Sequence, residues 1–253
     1  MKSKSLFGSP LSVLALALAA LASASAGAAN LVSNGNFEAG YGGYMRPADW
    51  NLTPLSLGSM AGGLASSAAT SASNSTLSFG GGWVLATDPG PSPDGGKFFW
   101  LDSDPHYSGT IWQNITGLQV GKSYEVSFFQ AAGISQGYFP SIGHAFDQTW
   151  TVSFGSASKT SDAMTVGANN FQGYNAPSTA WQKQTMVFTA SATSQVLGFL
   201  ANGPAGLPPI AMLDGISVNA VTAVPEPASL GLMGLGLGLG VVLLARRRVK
   251  AKA

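Results

Sequence analysis

Few side chains in this chain could act as a nucleophile, a base or a metal ligand. Gly133-Ile134-Ser135-Gln136-Gly137 matches the GxSxG spacing that presents a catalytic serine, and His144 follows within reach in sequence. Such an elbow needs a strand before the serine and a helix after it. The residues from Tyr138 to Gly143, with Pro140 among them, do not read as a helix, and among 33 glycines the spacing arises readily by chance. The only two histidines, His106 and His144, lack the spacing of a zinc site. Ten acids lie in the body of the chain, but nothing in their spacing pairs two of them for glycoside hydrolysis. Asp102-Ser103-Asp104 reads as turn-forming. The chain is therefore expected not to be an enzyme.

Binding chemistry has more to work with. Tyr138, Phe139, Phe146 and Trp150 crowd one segment with Gly137 and Pro140, and Tyr41, Tyr44 and Trp50 crowd another. Aromatic faces flanked by Asn, Gln and Asp suit sugar rings, which stack on the π-surface and hydrogen-bond at the edge. The competing use of an aromatic is the core, and Trp50, Trp112, Trp150 and Trp181 are expected to fill it. Tyr44 and Tyr138, beside glycines and with Phe139 next to Tyr138, are the candidates to face a ligand.

The elements that must position these groups are strands. Ser123 to Gln130 sets Tyr124, Val126 and Phe128 against polar alternates, a half-buried strand after the Gly121-Lys122 turn. Lys97–Asp102, Thr110–Ile115, Gln148–Phe154, Gln184–Ala190, Gln195–Leu200 and Ala211–Val218 read similarly. Gly58 to Ser78, rich in Ser, Ala and Gly, reads as a long surface loop or an irregular edge. Turn-rich stretches separate the strands, and the sum is an all-β fold, an antiparallel β-sandwich.

Charge and composition narrow the partners. Residues 30–222, one extracellular domain, hold five basic and ten acidic side chains, a net charge of −5, so the chain's overall +1 belongs to its ends. No basic patch exists to neutralise phosphates, and nucleic acid is excluded as a partner on that ground. With no cysteine there is no disulfide framework.

The ends are the most patterned segments. Residues 1–29 run from Lys2 and Lys4 through an apolar core to small residues, the layout of a signal peptide read by the Sec export machinery. Residues 223–253 begin with Val224-Pro225-Glu226-Pro227, continue through the uncharged run 228–245 and finish in Arg246, Arg247, Arg248, Lys250 and Lys252. Eighteen residues at ~1.5 Å each reach ~27 Å, enough for a single transmembrane helix. The basic end, 246–253, stays cytoplasmic and places the body outside.

This order of Pro-Glu-Pro, apolar span and arginine cluster resembles the PEP-CTERM sorting signal of Gram-negative bacteria. The resemblance implies recognition by an exosortase-type sorting enzyme, cleavage near Pro225-Glu226-Pro227, and passage from a membrane-tethered precursor to the cell surface or the extracellular space. It also implies a setting of exopolysaccharide and biofilm matrix.

Asn30 to Glu38, Gly109-Thr110-Ile111-Trp112-Gln113, Gly121 to Phe128 and Leu213 to Val218 together resemble the galactose-binding-like jelly rolls, many of which bind carbohydrate. In those folds a structural calcium often ties the N-terminal segment to the last strand. The matching positions here are Glu38 and Asp214, with backbone oxygens near Asn36 and Lys97. The alternative is that Glu38 hydrogen-bonds a loop and Asp214 caps the turn at Gly215. A carbohydrate-binding surface protein and a purely structural matrix or coat protein both follow from these features.

Overall fold

The computed structural model describes residues 29–40, 46–54, 62–66, 77–80, 83–85, 88–135, 145–167, 178–206 and 209–221. These residues form β1 (Asn51–Pro54), β2 (Gly62–Ser66), β3 (Leu77–Gly80), β4 (Trp83–Leu85), β5 (Lys97–Asp102), β6 (Gly109–Thr116), β7 (Ser123–Ile134), β8 (Phe146–Phe154), β9 (Ala157–Thr160), β10 (Met164–Val166), β11 (Gln182–Thr189), β12 (Ser194–Asn202) and β13 (Pro209–Ala220). Among the described residues there is no helix, and hence none long and apolar enough to cross a membrane.

Two antiparallel sheets carry the fold. One has the order β11-β7-β13-β5-β2; the other has β1-β6-β12-β8-β10, with β9 also pairing β8. Alternation decides which side chains meet between them. Phe99 and Leu101 on β5, Val126 and Phe128 on β7, Trp150 and Val152 on β8, and Leu197 and Phe199 on β12 all enter one buried core. Phe199 stands edge-on to Phe128 at 5.2 Å and to Trp50 at 6.3 Å, a geometry that aligns ring edges with π-faces.

The five-stranded sheet is also covered on its outer face. Phe98 and Trp100 on β5 and Ile210 and Met212 on β13 form a second buried cluster with Ala65 and Ala131, and Trp181 packs on it 5.3 Å from Phe98. The middle of β5, Phe98 to Leu101, is accordingly a continuous apolar run rather than alternating, because both of its faces are covered.

All seven segments read as strands lie in strands, with Ala190 just past the end of β11. Gly58 to Ser78 contains more order than a loop: β2 pairs with β5 as the sheet's edge and buries Gly62 to Ala65. Small residues are required there, since a Cβ on Gly62 would lie 2.6 Å from Leu101 Cδ1 and 2.9 Å from the Trp100 carbonyl oxygen. The tryptophans divide differently from expectation. Trp50 and Trp150 are in the core, Trp181 sits on the outer cluster, and Trp112 is only half-buried on the outer face of the other sheet.

The start of the body is fastened to the last strand. The Leu31 amide donates to the Val218 carbonyl at 2.9 Å, and Asn30 Oδ1 accepts from the amides of Val32 and Val218. Gly35 lies against Ile216, whose amide donates to the Gly35 carbonyl, and a side chain on Gly35 would strike the Ile216 carbonyl.

Candidate functional site

Glu38 and Asp94 come within electrostatic reach of Asp214 where the N-terminal segment, the 88–97 loop and β13 converge. Asp214 shares its strand parity with Ile210 and Met212, so it lies on the outer face of the five-stranded sheet, paired across from Phe129. It is fully buried, and neither carboxylate oxygen accepts a hydrogen bond of good geometry. Burial pushes its pKa up to about 7; the Ser92 hydroxyl and the Gly215 amide lie close enough to offset part of this, while the charges of Asp94 and Glu38 add to it. Beside it the register slips between Asp214 and Ser217, and Gly215 takes a left-handed φ of 58°.

Glu38 reaches the same corner. Its Oε1 accepts the Lys97 amide at 2.6 Å, and Lys97 Nζ donates to the carbonyls of Glu38 at 2.8 Å and Gly40 at 2.9 Å. Gly96, at φ 63°, leaves the space that the Glu38 carboxylate fills. Asn36 Oδ1 accepts the Glu38 amide at 3.4 Å, which shapes the turn into this corner. The loop-bonding role for Glu38 is thus present, and Glu38 and Asp214 are brought close enough to feel one another's charge. A cleft of about 440 Å³ opens alongside, bordered by Asn36, Asp94, Phe129, Lys183 and Ser217.

A buried carboxylate short of well-placed donors, with further carboxylates in electrostatic reach, suits a hard cation with oxygen ligands. Among the described residues no three His, Asp or Glu side chains close into a ready metal cage. An ion held here would draw on Asp214 and Glu38 together with backbone carbonyls, the donor mix that calcium accepts.

A second acidic group lies at the other end of β5. Asp102 Oδ1 accepts the Asp104 amide at 2.9 Å, and Asp104 Oδ1 accepts the His106 amide at 2.9 Å, so the predicted turn is built from two successive side-chain caps. Burial lifts the Asp102 pKa to about 7, partly countered by the Asp104 amide and reinforced by the Asp104 charge. Burial also acts on Asp104, but bonds from the His106 amide, the His106 ring at 2.8 Å and the Gly206 amide at 2.7 Å outweigh it and lower its pKa. The result is a clasp between the turn after β5 and the loop before β13. Ser135 is buried just past the end of β7.

The third feature is the outer face of the six-stranded sheet. Ile111 and Ile115 point into the core, so Thr110, Trp112, Asn114 and Thr116 point out. The register places Asn51, Trp112, Gly198, Ser153 and Ser158 in one row across five strands, and Thr53, Thr110, Leu200, Thr151 and Thr160 in the next. Trp112 Nε1 donates to Thr53 Oγ1 at 2.8 Å, which fixes one edge of the indole, and its cross-strand neighbour Gly198 has no side chain to cover it. Asn202 Nδ2 reaches Thr151 Oγ1 at 3.0 Å, and Arg46 Nη1 reaches Asn51 Oδ1 at 3.2 Å on the rim. The face is one aromatic plate among hydroxyls and amides, with Leu200 and Val196 on the same side and Arg46 at the rim.

Of the residues singled out for ligand binding, Tyr44, Tyr138 and Phe139 lie outside the described residues, as do Tyr41, His144 and the sorting residues Val224, Pro225, Glu226, Pro227, Arg246, Arg247 and Arg248. Trp50, Phe146 and Trp150 are buried in the core. Trp112 was not among the candidates, although its parity opposite to Ile111 and Ile115 already points it away from the core.

Residues 223–248 match the family model of the PEP-CTERM protein-sorting motif. Its body is an all-β sandwich of antiparallel sheets, to which several solved structures are similar at low identity. One such structure, TmCBM61 in complex with β-1,4-galactotriose, is 14% identical, with 76% of this chain and 99% of that chain covered and a TM-score of 0.38. Another, a CBM22-1 xylan-binding domain from Paenibacillus barcinonensis, is 12% identical, with 78% and 98% covered and a TM-score of 0.37. The enzymatically active domain of bacteriophage CBA120 tailspike protein 4 is 11% identical at a TM-score of 0.41; 76% of this chain is covered, but it spans only 21% of that one. These identities and scores are too low to carry a ligand or a reaction to this chain. No curated protein sequence matches it.

Proposed function

We propose that this protein is exported, held by its C-terminal span with the body outside the inner membrane, and released to the surface, where the sandwich binds carbohydrate without catalysis. The observation that carries the binding reading is the Trp112 plate over Gly198 within a neutral Ser, Thr and Asn face. A sugar ring stacks its apolar face on the indole and turns its hydroxyls to the side chains around it. A body charge of −5 disfavours polyanions, so the ligand is a neutral stretch of polysaccharide, the cell's own exopolysaccharide being the nearest at hand.

Calcium fits this reading as a structural clip. Held by Asp214 and Glu38 with carbonyls of Asn36 and Lys97, it would neutralise the buried carboxylate and lock the N-terminal segment onto β13. The test is retention of the full chain, in detergent, on immobilised polysaccharide. Retention by the wild type and its loss in Trp112→Ala support the reading; no retention on any polysaccharide leaves the purely structural matrix role in its place.

A further inference from the structure

Both termini of the body leave from one end of the sandwich. The Leu31 amide is bonded to Val218, and β13 closes two residues later, with the Val221 amide donating to the Ser123 carbonyl. That end is made of the β6–β7 turn at 117–122, the β8–β9 turn at 155–156 and the β11–β12 turn at 190–193. They are knitted together by Leu118 to Thr193, Gly121 to Ala190 and Gly155 to Val196 backbone bonds.

Among the described residues, five large apolar side chains are exposed, and four of them ring this end: Val120 at 64%, Val221 at 46%, Val187 at 44% and Val196 at 43%. Val187 and Val196 lie two residues from the ends of β11 and β12. Charge follows the same division. The turns here carry Lys122 and no acid, and Lys159 Nζ sits 5.4 Å over the Phe188 ring nearby; an acid, Glu125, stands at the same depth as Val187, directly across from it on β7. Asp102, Asp104 and the fifth exposed apolar side chain, Tyr107, are at the opposite end.

The tether is short. Six residues, 222–227, separate Val221 from the apolar run at 228 and extend at most ~20 Å, whereas the twelve residues of β7 alone span ~40 Å. The body cannot turn over onto its far end, and the valine-ringed end is always within reach of the bilayer.

We propose that this end is a seat for the outer surface of the membrane. The four valines enter the headgroup boundary and Lys122 meets anionic lipid phosphates. The tethered precursor then stands upright, with the Trp112 face free along its side. The proposal rests on the reading of 228–245 as a span.

The chain has no cysteine, so single labels can be placed without background. The full chain carrying Val120→Cys, Tyr107→Cys or Gly236→Cys, each bearing an environment-sensitive fluorophore, is reconstituted in vesicles of phosphatidylethanolamine and phosphatidylglycerol. Headgroup spin labels should quench the label at 120 several-fold more than that at 107, and Lys122→Glu should reduce the difference. Equal quenching at 120 and 107, with the label at 236 quenched by acyl-chain spin labels, overturns the seat and leaves the span standing. No acyl-chain quenching at 236 overturns the span, and the seat with it.

Discussion

Acidification should stabilise this protein, against the usual behaviour of carboxylate-rich domains. Asp102 is 1% exposed, and burial places its folded pKa near 7 against 3.8 for an unhindered carboxyl. Between those values the folded state holds a proton that the unfolded chain releases, so stability is complete below the lower value and falls as pH rises towards 7. From pH 5 to pH 7 the fall is a little under two units at ~1.4 kcal/mol each, roughly 2 kcal/mol. For a body of this size that is a drop in Tm of ~4–8 °C. Asp214, with the same sign, adds to it in chelator. Asp104 is shifted the other way, and its contribution is lost only in stronger acid. Asp102→Asn keeps an oxygen for the Asp104 amide and removes the titration, so the variant should lose about half of the slope. Calorimetry of both chains in EDTA between pH 5 and pH 8 measures this. A wild-type Tm that is flat or rises across that range, or an Asp102→Asn profile identical to it, refutes the reasoning.

Three further outcomes follow from the same structure. Calcium at about a hundredfold over its dissociation constant should stabilise the wild type by ~2.7 kcal/mol, raising Tm by ~5–11 °C, and should do nothing for Asp214→Asn; an equal rise in both, or none in either, removes the clip. Gly62→Val should cost ~1–3 kcal/mol by forcing β2 off Leu101 and Trp100, read as a lower urea midpoint with β2 amides exchanging fastest; an unchanged midpoint contradicts the close packing. Mass spectrometry of the protein recovered from the cell surface should show a C-terminus near Pro225-Glu226-Pro227, and chains ending in Ala253 would argue against processing.

How much of this could be seen in advance depended on side-chain contrast. Strands such as β7 and β11 announce themselves because bulky apolar residues alternate with polar ones. β2 has no such contrast, since Gly62, Gly63 and Ala65 are small so that the strand can lie close against β5; its signal resembles that of a loop. β3, β9 and β10 are too short to establish a period. The acidic corner was legible only in part. Glu38 and Asp214 are 176 positions apart, and the pairing of the N-terminal segment with β13, Leu31 on Val218 and Gly35 on Ile216, brings them together, while Asp94 enters through a loop whose path no local pattern specifies. Trp112 was legible and overlooked: the size of an indole suggests the core, but alternation with Ile111 and Ile115 assigns it to the other face.

The glycan-binding reading stands or falls on that indole. Titration calorimetry of a neutral oligosaccharide from the retained polysaccharide should rank wild type close to Trp112→Phe, which keeps a stacking plate, and both well above Trp112→Ala. The loss in the alanine variant should be ~2 kcal/mol, roughly thirtyfold in Kd, with Tm unchanged because the side chain is outside the core. Equal affinity in all three chains would contradict the account.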